Sequence, residues 1–146
     1  MVHAFKFLGR KRAAGSAAGW MALRSPAFPE LGVIDAVVPV PLHPHRQRER
    51  GYNQARILAE AVGQINGRPV LELLVRHKPT APQWRLSRVQ RGKNLRGAFS
   101  GLPAAAGMNI LLVDDVCTTG ATLEEGALAL RRAGAARVCG YVFARD

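Results

Sequence analysis

The stretch Ile110–Thr122, ILLVDDVCTTGAT, decides how this sequence is read. Four apolar residues, Ile110, Leu111, Leu112 and Val113, lead into Asp114 and Asp115, and the run closes on Thr118, Thr119, Gly120, Ala121 and Thr122. Apolar residues ahead of a helical pattern predict a buried strand, Asn109–Val113, feeding a helix over Ala121–Ala133 that Gly134 ends. The free N–H groups and positive dipole end of a helix start attract phosphate, Thr hydroxyls add donors, and glycine lets the backbone approach closely. Asp114 and Asp115, predicted in the turn after Val113, would repel that phosphate unless they served sugar hydroxyls or a bound cation. A ligand with a phosphate at one end and a diol beside it satisfies both halves. Each half alone has a plainer reading, Thr-Thr-Gly as a helix cap and Asp-Asp as a solvated turn. An apolar strand ending in Asp-Asp also resembles a Walker B segment, but the chain has no GxxxxGK[ST], which disfavours a P-loop enzyme.

Working outward, strands and helices alternate. Val33–Val38 is a short apolar strand stopped by Pro39, and PVPLHP then places three prolines in six residues, too many for a regular element. Ala55, Ile57, Leu58, Ala61 and Val62 have helical spacing within Asn53–Val62, and Asn66-Gly67 makes a turn after them. Val70–Val75 reads as the next strand, Lys78–Gly97 as a basic loop or irregular hairpin, and Arg137–Ala144 as the last strand. Ahead of all these, Phe5–Leu23 reads as a basic, Ala-rich helix. The order predicts a single α/β domain with a mostly parallel sheet flanked by helices, plus an irregular basic loop. Ligands in such open sheets bind beyond the carboxyl ends of the strands. The Pro-rich turn, the basic loop and the Asp-Asp turn all follow such ends.

The 146 residues suit one domain over residues 1–146, and 48% hydrophobic with 21% charged residues is ordinary for a soluble protein. The net charge of +11 is not ordinary, and twelve of the 21 Lys and Arg lie between Arg46 and Arg96 against three acids, Glu49, Glu60 and Glu72. Such a surface favours anionic partners: phosphorylated metabolites, nucleic acid or anionic membrane. No stretch approaches the apolar length of a membrane span, so no membrane insertion is expected. The N-terminal basic and Ala-rich run is broken by Gly15, Ser16 and Gly19 and lacks a signal-peptide cleavage pattern. Cys117 and Cys139, without a CxxC pair or a His cluster, support neither a zinc site nor a disulfide framework and suit the cytoplasm. His43, His45 and His77 read as solvent-facing. Trp84, Tyr52 and Phe99, set among arginines, could stack bases, but aromatics near loop ends more often cover the core.

ILLVDDVCTTGAT resembles the phosphoribosyl pyrophosphate signature of type I phosphoribosyltransferases. PVPLHPHRQRERGYNQARILAEAV, RHKPTAPQWRLSRVQRGKNLRGAF and AGAARVCGYVFAR are similar to the ComF/GntX family of competence-associated proteins with that fold, so the likeness covers nearly the whole chain. Many members of that family begin with a zinc-ribbon-like segment; this sequence starts just before HAFKF, as a short form or with a late recorded start.

The resemblance implies a ligand set. Val113, Asp114, Asp115, Cys117, Thr118, Thr119, Gly120, Ala121 and Thr122 would bind phosphoribosyl pyrophosphate, with the Asp pair on the ribose hydroxyls directly or through Mg²⁺ and Thr118–Thr122 around the 5′-phosphate. Cys117, often aliphatic in the signature, reads as a packed residue. Val40, Pro41 and Leu42 match the pyrophosphate loop, with Arg46, Arg48 and Arg50 close behind in sequence. Residues 80–94 match the flexible loop, and Arg76, Lys78, Arg88, Arg91 and Lys93 would meet the leaving pyrophosphate, with Arg76, Lys78 and Arg91 in catalytic roles beside Asp114 and Asp115. The implied activity is Mg²⁺-dependent pentosyl transfer from phosphoribosyl pyrophosphate to an unidentified acceptor. The competing reading is a non-catalytic module that senses a nucleotide monophosphate while its basic face handles single-stranded DNA in natural transformation, beside a competence helicase. The arginines as a merely solvated face are the plain alternative.

Overall fold

The computed structural model describes residues 19–20, 32–78 and 95–145. The expected helix Phe5–Leu23 lies outside them except for residues 19–20, which are helical. The chain order is β1 (Ala36–Pro39), α1 (Pro44–Arg50), α2 (Gln54–Asn66), β2 (Leu74–Arg76), β3 (Phe99–Gly101), β4 (Asn109–Cys117), α3 (Ala121–Arg132) and β5 (Arg137–Arg145).

The sheet has β4 at its centre. β1 pairs with it in parallel from Ala36↔Ile110 to Pro39↔Val113, and β5 pairs in parallel on its other side from Asn109↔Arg137 to Cys117↔Arg145. Outside β1, Val37 donates to the Pro69 carbonyl (2.9 Å) and accepts from Leu71 N–H (3.0 Å), a short parallel bridge centred on Val70.

Alternate residues of these strands face opposite sides, and both sides are covered. Val37, Leu111 and Val113 pack against Leu58, Ala59 and Val62 of α2. Val38, Ile110 and Leu112 pack on the other face with Ala129 and Leu130 of α3 and with Leu74 and Phe99. The parallel, helix-flanked α/β architecture expected from the sequence is therefore present. On the second face α3 lies very close to both neighbours: a Cβ on Gly126 would stand 3.1 Å from Leu112 Cδ2 and 3.1 Å from Leu74 Cδ2. A side chain there would force α3 away from β4 and β2.

Several boundaries differ from the sequence reading: β1 starts at Ala36 rather than Val33 and includes Pro39, which still pairs with Val113, and α2 runs on to Asn66 rather than ending at Val62. Asp114 and Asp115 belong to β4 rather than to a turn, because pairing with β5 continues past them at Val116↔Ala144 and Cys117↔Arg145. Val70–Val75 is not one strand: its start bridges β1, and Leu74–Arg76 turns away to pair antiparallel with Phe99–Gly101. That partner strand, β3, carries no alternating apolar pattern. The Pro-rich run ends in a helix after all, since Pro44 sits at the first turn of α1, where its missing N–H costs nothing, and His43 Nδ1 accepts from His45 N–H (3.3 Å).

Candidate functional site

The end of β4 and the start of α3 form a continuous cradle. Asp114, Val116, Cys117, Thr118, Thr119, Gly120, Ala121, Thr122 and Leu123 line one recess. The chain enters α3 through Gly120 at φ +83°, a left-handed conformation that glycine adopts freely and other residues resist. No side chain makes an N-cap bond to α3, although Thr119 Oγ1 accepts a long bond from Ala121 N–H (3.4 Å). The first N–H groups of α3 thus border the recess at the positive end of the helix, the arrangement that suits an anion.

The two acids at its lip are half-buried and bent back on the strand. Asp115 N–H donates to Asp114 Oδ1 (2.8 Å), and Val116 N–H donates to Asp115 Oδ1 (2.8 Å). Burial, and then the charge of Asp115, push the Asp114 carboxyl well above the usual carboxylate range, against the pull of the Asp115 N–H bond and of Arg76.

Segments distant in sequence gather around the turn after β1. Val40 N–H donates to the Val113 carbonyl (2.9 Å), which sets the turn after β1 directly beside the acidic pair. Asn53 fixes that turn: Nδ2 donates to the Val40 carbonyl (3.0 Å) while Oδ1 accepts from Ala55 N–H (3.1 Å) and caps α2. A second cavity, of about 360 Å³, opens between this turn and β2, lined in part by Pro41, Leu42, Gln47, Glu72, Val75 and Arg76. Arg76 is only 8% exposed, with its guanidinium 5.5 Å from the Phe99 ring centroid, a cation–π contact in a shielded place.

Of the residues expected at a site, the structure gathers Asp114 and Cys117–Thr122 around one recess with Asp115 bonded to Asp114, and it places Pro41, Leu42 and Arg76 around the second cavity. The Val113 and Val40 side chains are buried in the core, and the Val40 N–H and carbonyl and the Val113 carbonyl are bonded within the protein. Lys78 stands at the stem that leads out of β2, its Nζ donating to the Arg96 carbonyl (3.3 Å). Arg48 is exposed on α1; Arg91, with Arg88 and Lys93, lies outside the described residues, as does Trp84. Phe99 is a core residue and Tyr52 is half-buried. Among the described residues no three His, Cys, Asp or Glu stand together as a metal cage.

The sequence reading passed over Asn53, although its place just ahead of a helical pattern is an N-cap signal. It also passed over Glu125, whose Oε2 accepts from Gly97 N–H (3.0 Å) and ties α3 to the chain entering β3. Arg56 is engaged by Glu60 (2.9 Å) and by Glu72, so its charge is satisfied within the protein.

Residues 53–146 match the phosphoribosyl transferase domain family, and the chain belongs to it. Within it the resemblance to the ComF group holds. The chain is 38% identical to competence protein F of Haemophilus influenzae, over 80% of this chain and 52% of that protein. It is 36% identical to DNA utilization protein YhgH of Salmonella typhi, over 94% of this chain and 63% of that protein. The chain thus spans between about half and two thirds of the length of these two relatives. Its fold is similar to that of a glutamine phosphoribosylpyrophosphate amidotransferase from B. subtilis complexed with ADP and GMP, with a TM-score of 0.60 at 21% identity, over 89% of this chain and 26% of that one.

Proposed function

We propose that this chain binds phosphoribosyl pyrophosphate and transfers its phosphoribosyl group to an acceptor with release of pyrophosphate. One observation carries the reading: an acidic pair at a strand end runs without a break into an open, glycine-entered helix start. The N–H groups and hydroxyls of Thr118–Thr122 hold the 5′-phosphate, and the Asp114 and Asp115 carboxylates accept from the ribose hydroxyls. Arg76, which acts on the Asp114 carboxyl, and Lys78 two residues further on would balance charge on the departing pyrophosphate. Among the described residues no third His, Cys, Asp or Glu joins Asp114 and Asp115, and this pair would steady an Mg²⁺ that also takes oxygens from the substrate. Bound there, the ion neutralises negative charge on the leaving group.

The test incubates the protein with phosphoribosyl pyrophosphate, Mg²⁺ and a panel of bases and amines. Pyrophosphate release above the hydrolysis background supports transfer, and the absence of release with every acceptor removes it.

A second reading is favoured by the twelve basic residues between 46 and 96 and by the competence and DNA utilization names of the relatives. In it the phosphoribosyl cradle senses a nucleotide monophosphate, and the basic face binds single-stranded DNA. That reading requires retention of oligonucleotides that weakens steeply with salt and on neutralising Arg88, Arg91 and Lys93. Both readings place the protein in the reducing cytoplasm, which suits its free Cys117 and Cys139.

A further inference from the structure

Strand β3 runs along α3 and meets it in two places of different kind. Over the C-terminal half of the helix the contact is steric: a Cβ on Gly101 would stand 2.6 Å from the Ala129 carbonyl oxygen and 2.8 Å from Ala133 Cβ. One turn into the helix, just past Leu123 at the edge of the recess, the contact is a single hydrogen bond from Gly97 N–H to Glu125 Oε2 (3.0 Å). The same stretch of chain is bonded on its other side to the end of β2. His77 Nε2 donates to the Gly97 carbonyl (3.0 Å), Lys78 Nζ donates to the Arg96 carbonyl (3.3 Å), and His77 N–H donates to the Ala98 carbonyl (3.1 Å). Gly97 is therefore a junction through which α3 holds the end of β2. Arg76 and Lys78 stand on either side of His77, and Arg76, paired with Phe99 across the ladder, acts on the Asp114 carboxyl. Farther along the helix, Gly101 and the close approach of Gly126 to Leu74 seat both strands on α3. Beside the cradle, among the described residues, the tie is the Glu125 bond.

We infer that Glu125 is a positioning residue: through Gly97 and His77 it sets Arg76 and Lys78 at a fixed distance from the helix start that holds the 5′-phosphate. The inference rests on the phosphoribosyl reading of that cradle. Charge alone gives Glu125 the opposite effect. A carboxylate one turn into the helix repels a polyanion bound at the helix start, so removing it would tighten binding if Coulomb repulsion were all that mattered. Loss of position weakens binding instead, because a cation that drifts from the pyrophosphate gives up a contact that depends on geometry.

The test titrates phosphoribosyl pyrophosphate and ribose 5-phosphate, each with Mg²⁺, into the full chain, Glu125→Ala and Glu125→Gln in a calorimeter. Ribose 5-phosphate has the same 5′-phosphate and no pyrophosphate. Glu125→Ala is expected to bind phosphoribosyl pyrophosphate about fivefold to tenfold more weakly and ribose 5-phosphate within about twofold of the unaltered chain. Glu125→Gln removes the charge but keeps an acceptor for Gly97 N–H, and it is expected to restore phosphoribosyl pyrophosphate affinity to within about twofold. Hydrogen exchange should show the Gly97 amide losing protection in Glu125→Ala while the β4 amides keep theirs, which separates a local release from unfolding. Unchanged or tighter phosphoribosyl pyrophosphate binding by Glu125→Ala would overturn the inference, as would parallel losses for both ligands or a Gln variant as weak as the Ala variant. Failure of the unaltered chain to bind either ligand overturns the proposed function, and the inference with it.

Discussion

The two sides of the site are built in opposite ways. One side is a single run of chain, from Asp114 through Gly120 into α3, in which neighbours in sequence are neighbours in space. The other is assembled from the turn after β1, the Asn53 cap, Glu72 and β2, and it holds together through contacts such as Asn53 Nδ2 on the Val40 carbonyl. The contiguous side supplies backbone donors and carboxylates, which suit a sugar phosphate. The assembled side mixes prolines and aliphatic side chains with Arg56, Glu72 and Arg76, drawn from segments far apart in sequence. A local run fixes chemistry common to a family, while a composite wall is free to vary with the ligand.

The sharpest way to break the contiguous side is Gly120→Val. A β-branched residue at φ +83° is strained and turns the first N–H groups of α3 off the ligand. Calorimetry should show phosphoribosyl pyrophosphate affinity down on the order of a hundredfold.

Next comes the helix that joins the two sides. Gly126→Val drives α3 off Leu112 and Leu74 together, and denaturant unfolding should show a loss of about 1–3 kcal/mol, with weakened binding on both sides.

A smaller effect of opposite sign is expected for Asp114→Asn. Its carboxyl is raised in the fold by burial and by Asp115, so its contribution to stability is complete below the unfolded pKa and is lost as pH rises through the folded value. The Asn variant should melt higher at neutral pH, by about 0.5–2 kcal/mol, should lose that advantage in acid, and should bind the sugar phosphate poorly. Thermal melts across pH check this.

The smallest change is Arg56→Gln, an exposed ion-pair loss worth under about 1 kcal/mol by chemical denaturation.

Legibility in the sequence follows the same division. β4, α3 and β5 could be read because apolar strands and a Gly-ended helix are local signals, and the acidic pair with its threonines lies in one window. The end of β4 was misplaced because polar residues such as Asp114 and Asp115 look like a turn until their pairing partner β5 is known. The Val70–Val75 stretch reads as one strand because nothing in it marks where it leaves β1 for β3, a choice made by distant segments. Helix α1 was hidden by its prolines, although Pro44 at its first turn is a start signal. Of the second cavity only Pro41, Leu42 and Arg76 are legible, through the family resemblance, since its lining residues are spread from Pro39 to Leu102.

The central claim, that the run from Asp114 to Thr122 holds a sugar phosphate, is tested most directly by titrating phosphoribosyl pyrophosphate with Mg²⁺ into the protein and into Asp115→Asn in a calorimeter. The predicted result is saturable one-site binding to the unaltered chain and at least a tenfold loss in the variant at unchanged folding. No heat at millimolar ligand, or equal affinity in both proteins, would contradict it.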